Sequence, residues 1–308
     1  MLTTIHYRLK KASNLMNKRN LTSPAEVTRL FVKYDFKYKK RLGQNFLVDQ
    51  NTLQIIINSL KLNKKDCILE IGTGIGTLTS ALSPLVKQVV SVEKDKKLTP
   101  LLKESLSSFD NIEVIFEDIM NFELVSFFNQ KRRKGENIKK IVGNLPYYIS
   151  TSLIRQILEL NRYLRVVVFL VQKEVGERLM AQAGNKNYGI LSLVAQYYSQ
   201  PQKVHIVPPT VFYPPPKVNS MIIKLDIYKK PQVQVGNEKL FFNIIRASFQ
   251  QRRKRLINSL SNYFKGVIAK AEIEDILTET SIDKNRRGET LSLEEFTKLS
   301  MAMGKRLA

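Results

Sequence analysis

The sequence predicts an α/β protein: a largely parallel sheet covered by helices on both faces, followed by a small all-helical domain. Three observations carry that reading. Short apolar runs alternate with helical stretches from residue 67 onward, as strands joined by crossover helices do. A glycine-rich turn, Gly72-Thr73-Gly74-Ile75-Gly76, follows the first of those runs directly. A polar stretch over 227–235 then gives way to helical spacing that continues to the end of the chain.

Taken in order, residues 1–21 form a basic tail with Arg8, Lys10, Lys11, Lys18 and Arg19. The tail has neither a small-residue cleavage site nor a long apolar region, so it reads as a solvated extension sooner than a targeting segment. A first domain spans 22–226. It opens with Ser23-Pro24-Ala25-Glu26, the pattern of a capping box with proline at the first helical position, on a helix running to about Tyr34. Strands are expected at 67–71, 89–93, 112–117, 138–143 and 166–172, with helices at 78–86, 98–106 and 150–160. The charged run 130–140 reads as an exposed loop. Residues 203–207 and 218–225, separated by Pro208, Pro209, Pro214, Pro215 and Pro216, suggest a hairpin closing one sheet edge. After the 227–235 linker, the second domain covers 236–308, where Phe241, Ile245, Phe249, Leu256 and Leu260 recur at helical spacing.

The 308 residues include 50 Lys+Arg against 27 Asp+Glu, a formal charge of +23 that attracts polyanions, nucleic acid first and an anionic membrane second. No run approaches the roughly 18 apolar residues of a spanning helix. Cys67, the only cysteine, rules out an internal disulfide and thiolate clusters, and it sits in an apolar run as a small core residue. With His6 and His205 the only histidines, no metal site is expected.

The glycines of 72–76 let the backbone turn sharply and approach a ligand closely. Their G-x-G-x-G spacing differs from the G-x-G-x-x-G that seats a pyrophosphate, which favours a ligand without phosphates such as S-adenosylmethionine over a dinucleotide. Glu93 closes the second strand, placed to accept from ribose hydroxyls, and Asp118 closes the third, placed to accept from an adenine amine. Asn144-Leu145-Pro146-Tyr147 follows the fourth strand. Its chemistry suits methylation of a ring-conjugated amine, a poor nucleophile because its lone pair is delocalised. The Asn144 side-chain oxygen and the Pro146 carbonyl can accept that amine's hydrogens while Tyr147 stacks on the base.

At this point the chain resembles the ribosomal RNA adenine dimethyltransferases. The resemblance rests on Leu42-Gly43-Gln44-Asn45-Phe46-Leu47, Glu70–Gly76, Glu93, Glu117-Asp118 and Asn144–Tyr147, and it covers about residues 22–300. It implies a Rossmann-like methyltransferase domain with a small helical C-terminal domain. Gln172–Arg178, Val211–Ser220, Ala247–Lys254 and Arg286–Ser292 tilt it toward the small-subunit (KsgA/RsmA) branch and away from the Erm resistance methylases. The implied reaction is dimethylation of N6 on two adjacent adenines in the 3′-terminal hairpin of 16S rRNA. The implied enzyme is cytoplasmic, acts on the immature small ribosomal subunit, uses S-adenosylmethionine without a metal, and is a monomer by default. The resemblance also implies that Asn45, Leu47, Gly72, Gly74, Glu93, Asp118 and Asn144 contact the cofactor. Residues 44–47 would form a flap over it, and Phe212 would cover the adenine face opposite Tyr147. Thr73 and Tyr148 stand where many relatives carry proline and asparagine.

For the RNA, Arg252-Arg253-Lys254-Arg255 is read inside the helix begun near Phe241, with Arg246 and Arg253 on one face. Together with Arg286, Arg287 and the loop 131–134, these residues would track phosphates and supply salt-dependent affinity. Two other readings stay open: an Erm-like large-subunit rRNA methylase, and a ribosome-assembly factor whose catalysis is dispensable.

Overall fold

A computed structural model of the chain describes residues 5–8, 20–39, 42–251 and 253–307. It divides into two compact units, one of residues up to Gly176 with Gln202–Lys229, the other of Glu177–Pro201 with Lys230 onward.

In chain order the first unit begins with β1 (Ile5–Arg8), α1 (Pro24–Lys33), β2 (Phe46–Leu47), α2 (Gln50–Leu60), β3 (Cys67–Ile71) and α3 (Thr77–Leu82). It continues with β4 (Gln88–Glu93), α4 (Thr99–Ser105), β5 (Ile112–Phe116), α5 (Leu124–Arg133), β6 (Ile138–Asn144), α6 (Ser150–Glu159) and β7 (Val166–Gln172). The chain then runs through α7 (Lys173–Met180) and α8 (Ile190–Tyr198), the latter in the second unit, to β8 (Ser199–Val207), β9 (Phe212–Tyr213) and β10 (Ser220–Ile227). The main sheet has the order β1-β5-β4-β3-β6-β7-β10-β8, and β2 pairs with β9 apart from it. Strands β3 to β7 are parallel. β10 runs antiparallel to β7, and β1 antiparallel to β5. Every residue of β3 is buried, as a strand covered on both faces requires, and α2, α3 and α5 pack against sheet strands.

Several local expectations change. Residues 5–8 of the basic tail pair with β5 as an edge strand, and the tail's remainder lies outside the described residues. Ser23 makes no side-chain cap on α1; its own N–H donates to the Asn20 carbonyl at 3.0 Å, and Glu26 pairs with Arg29 at 2.7 Å. The helix expected at 78–86 ends at Leu82, where Pro84 sits in a tighter turn. α2, which the sequence reading passed over, is capped by Asp49 accepting from the Thr52 N–H at 2.6 Å. Of the run 130–140 only residues 134–137 are a loop, between the end of α5 and the start of β6. Lys131 lies on α5 with its side chain 5% exposed, and its ammonium is held between Glu113 (2.8 Å) and Glu136 (2.9 Å).

The second unit contains α8 and then α9 (Glu238–Gln250), α10 (Leu256–Tyr263), α11 (Lys270–Glu279) and α12 (Leu293–Leu307). A boundary at 226 therefore does not follow the packing, since residues 177–201 join the C-terminal helices. The reason is aromatic. Tyr197 packs on Phe241 with centroids 5.2 Å apart, the Tyr198 hydroxyl donates to Glu238 at 2.6 Å, and the Tyr188 hydroxyl donates to the Leu291 carbonyl at 2.9 Å. The expected linker is also fixed here, with the Gln232 N–H donating to the Tyr197 carbonyl at 3.1 Å. The helix begun near Phe241 stops at Gln250. The Leu256 N–H donates to the Arg286 carbonyl (2.7 Å) and Ile257 to that of Lys284 (3.3 Å), so tertiary partners start a new helix where an unbroken one would need intrahelical bonds.

Candidate active site

The site forms at the carboxyl ends of β3 to β6, where open parallel sheets receive ligands. A cleft is lined there by Gly72, Glu93, Asp118 and Asn144, with Leu42–Phe46 and Pro146, Tyr148 and Ile149 around them. Glycine makes the approach possible at two places. Gly72, Gly74 and Gly76 hold φ of +82°, +55° and +91°, a left-handed turn that other residues adopt only with strain. A Cβ on Gly143 would lie 2.5 Å from the Ile71 carbonyl oxygen, so glycine alone lets β6 run close enough to β3 to set Asn144 beside Gly72.

Glu93 is 8% exposed. One of its oxygens accepts from the Gly74 N–H at 2.9 Å and the other from the Asp95 N–H at 2.8 Å. Burial pushes this carboxyl above the usual carboxylate range, and backbone N–H groups of Asp95, Gly74 and Lys94 pull against that. Each oxygen keeps a further lone pair for a ligand. Asp118 meets the Lys94 ammonium at 2.7 Å and accepts from the Met120 N–H at 3.1 Å. Lys94 in turn lies 5.9 Å from the centre of the Tyr148 ring, which is 53% exposed at the cleft mouth.

Asn144 donates its Nδ2 to the Asn45 carbonyl at 2.8 Å. A carbonyl can only accept, which fixes the amide orientation and leaves Oδ1 as the free acceptor; no described residue donates to it. The Pro146 carbonyl accepts from the Ile149 N–H at 3.3 Å and retains one lone pair. Tyr147 is half-buried, and its hydroxyl shares a 2.8 Å hydrogen bond with Ser220 that fixes the ring. Burial raises that phenol.

The residues the sequence singled out thus fall into two groups. Asn45, Gly72, Glu93, Asp118, Asn144 and Pro146 line one cleft. Leu47, Gly74, Tyr147 and Phe212 lie outside its lining. Leu47 and Phe212 are register partners in the β2–β9 pair, and Phe212 is only 3% exposed, so stacking a base on it requires residues 209–213 to give way. The sequence reading missed Asp95, whose carboxylate takes the Lys39 ammonium at 2.8 Å and the Gln44 amide at 2.9 Å. Burial works to raise the Asp95 carboxyl, but those donors outweigh it and hold the group low. The only sequence signal was its place two residues beyond Glu93. Glu70 was likewise unassigned; it is buried, accepts from the Thr79 hydroxyl at 2.6 Å, and is pushed up to about 8 by desolvation.

A family model described as ribosomal RNA adenine dimethylase matches residues 35–299. The chain belongs to the ribosomal RNA adenine dimethylase family. It is 42% identical over 287 residues to a ribosomal RNA small subunit methyltransferase A of Alkaliphilus oremlandii, covering 93% of this chain and 99% of that one. To the same-named protein of Bacillus cereus it is 44% identical, covering 92% and 98%. Among solved structures, a dimethyladenosine transferase from Plasmodium falciparum superposes with a TM-score of 0.72 at 26% identity, over 85% of this chain and 98% of that one. The 23S rRNA methyltransferase ErmE shares the fold, with a TM-score of 0.62 at 23% identity over 84% and 100%.

For a family that modifies RNA, the basic residues of the second unit matter, and the structure separates them. Arg252 lies outside the described residues. Arg253 and Lys254 are exposed in the turn after α9, so Arg253 does not share a helical face with Arg246, whose guanidinium bonds Asn243 at 3.0 Å. Arg286 is committed internally to Glu295 and to the Thr290 carbonyl (2.6 Å), and the Glu295 carboxylate, with Asp283 nearby, raises its pKa against the cost of burial. Arg287 is exposed.

Proposed function

We propose that this chain transfers methyl groups from S-adenosylmethionine to N6 of two adjacent adenines in the 3′-terminal hairpin of 16S rRNA. It would act as a monomer on the immature small ribosomal subunit, in the cytoplasm. Support for the small-subunit substrate comes from the 42–44% identity to small subunit methyltransferase A proteins over more than nine-tenths of the chain. The observation that carries the chemistry is Asn144, whose amide nitrogen is occupied and whose oxygen remains as an acceptor in the cleft wall.

The cleft fits the methyl donor. Its glycine turn leaves room for close backbone approach, and two acids at successive strand ends suit a ribose and an adenine amine. S-adenosylmethionine, when bound, supplies an electrophilic methyl group on a sulfonium sulfur. Gly72 and Glu93 would hold its methionine and ribose portions, and Asp118 its base once Lys94 swings aside. Asn144 and the Pro146 carbonyl accept the N–H hydrogens of the target amine, drawing its lone pair out of conjugation and aiming it. Tyr147, its ring fixed through Ser220, offers a stacking face, with Phe212 on the other side after local movement. No strong base is needed, because the methylated amine is acidic enough to lose its proton to water. Most of the rate then comes from positioning.

Asn144→Ala tests this reading. Methyl transfer to immature small subunits should fall by roughly 100-fold or more, the scale of losing one preorganised polar contact to a reacting group, while S-adenosylhomocysteine still binds. Wild-type activity in that variant contradicts the assignment. Transfer to large-subunit RNA in preference to small-subunit RNA would move the protein to the Erm-like reading.

A further inference from the structure

A second concavity, at the opposite end of the same sheet, remains unassigned. It is lined by Phe128 and Arg132 of α5, Asn137, Ile138 and Lys139 where β6 begins, and Arg162, Tyr163 and Arg165 just before β7. Four of these eight residues are cationic, none is acidic, and all four cations are exposed. Among the described residues none of the four forms a salt bridge. The neighbouring acids are already satisfied: Glu136 by Lys131 at 2.9 Å, and Asp226, the register partner of Val166, by Lys224 at 2.7 Å. The floor is aromatic and fixed, with Tyr163 stacked on Phe128 at 5.1 Å and its hydroxyl donating to Asn129 at 2.9 Å. Arg162 lies over the Tyr163 ring at 4.8 Å with one nitrogen 2.8 Å from the hydroxyl, so its guanidinium is held in place before any ligand arrives. The Arg165 N–H donates to the Lys139 carbonyl at 2.8 Å, locking those two positions side by side.

Unpaired cations converging on a concave surface with a rigid aromatic floor suit phosphodiesters carried on a nucleic acid. We propose that this pocket binds backbone phosphates of the RNA substrate at a point remote from methyl transfer, an inference that rests on the rRNA methyltransferase reading. β6 joins the two sites, beginning at Ile138 in the pocket and ending at Asn144 in the cleft. Six residue steps along a strand span about 20 Å. An RNA that touches both therefore has to reach around the end of the sheet. A folded rRNA in a ribosomal particle does so, and the pocket acts as an anchor that raises affinity for the particle without touching the reacting base.

The test is a variant with Arg132, Lys139, Arg162 and Arg165 all changed to Gln, beside one with the three arginines changed to Lys. Thermal unfolding and S-adenosylhomocysteine affinity confirm that each is folded. Each lost phosphate contact should reduce the slope of log affinity for small-subunit rRNA against log salt by about 1. The Gln variant should lose roughly 2–4 from that slope and raise KM for immature subunits roughly tenfold at unchanged kcat. The Lys variant, which keeps the charge, should retain most of the wild-type slope. An unchanged slope and KM in the Gln variant overturns the proposal. So does loss of binding to phosphatidylglycerol vesicles with the RNA slope intact, which would assign the pocket to a membrane surface. The slope is read from binding alone, so it remains decisive even if wild-type protein fails to methylate small subunits, the result that would instead remove the functional reading.

Discussion

Replacing Asp95 by Asn tests how the 39–45 segment is held over the cleft. Asp95 is buried: its carboxylate accepts from the Lys39 ammonium at 2.8 Å and the Gln44 amide at 2.9 Å, and its backbone N–H donates to the Glu93 carboxylate at 2.8 Å. Gln44 also accepts from the Lys39 N–H at 2.7 Å, and Asn45 next to it holds Asn144. Asn keeps the shape and one acceptor oxygen, but it removes the charge and sets an N–H donor where the other oxygen accepted. Hydrogen bonds to charged groups contribute about 1.5–3 kcal/mol against about 1 for neutral ones. Converting two of them should therefore cost about 2 kcal/mol. If that cost falls on the arrangement that closes around the cofactor, S-adenosylhomocysteine affinity drops by roughly 30-fold, at about 1.4 kcal/mol per decade. Isothermal titration calorimetry measures it directly. Lys39→Ala and Gln44→Ala should each weaken binding in the parent and have little further effect in the Asp95 variant, since all three remove the same contact set. Affinity within twofold of wild type, or fully additive effects, would refute the reasoning.

Glu70, pushed up to about 8 from an ordinary 4.5, keeps its proton in the folded chain over a range where the unfolded chain has lost it. Its contribution to stability is complete below about pH 4.5 and disappears as pH rises toward 8. Glu70→Gln should flatten the decline of urea stability between pH 5 and 8 by a few kcal/mol, and equal slopes in parent and variant would rule this out. Gly143→Ala places a Cβ 2.5 Å from the Ile71 carbonyl, where backbone must move, so it should cost about 3 kcal/mol; a wild-type melting temperature would show that β3 and β6 have slack. Arg286→Ala breaks the contacts to Glu295 and Thr290 and should lower stability by roughly 1–2 kcal/mol. Arg287→Ala should leave the melting temperature unchanged and reduce the salt slope of RNA binding by about 1, a division that fails if both variants behave alike.

Local pattern carried the sheet because its signal is local. Apolar runs such as Cys67–Ile71 and Val166–Gln172 have no soluble alternative to burial, and the turn at Gly72–Gly76 and the acids at Glu93 and Asp118 sit at fixed offsets from strand ends. The sequence itself therefore determined the parallel core, the position of the cleft and most of its lining, and its motifs pointed to the family. Tertiary structure decided what depends on partners distant in the chain. It drew 177–201 to the C-terminal helices, because Tyr188, Tyr197 and Tyr198 find their rings and acceptors beyond residue 237. It started α10 at Leu256 through carbonyls of 284 and 286, and it turned Arg286 from a candidate phosphate contact into an internal tie. It also joined Asp95 to Lys39 and Gln44 across more than fifty residues. A charge or an aromatic ring on a chain states what it can bind, and only the folded neighbours determine whether that capacity is already spent.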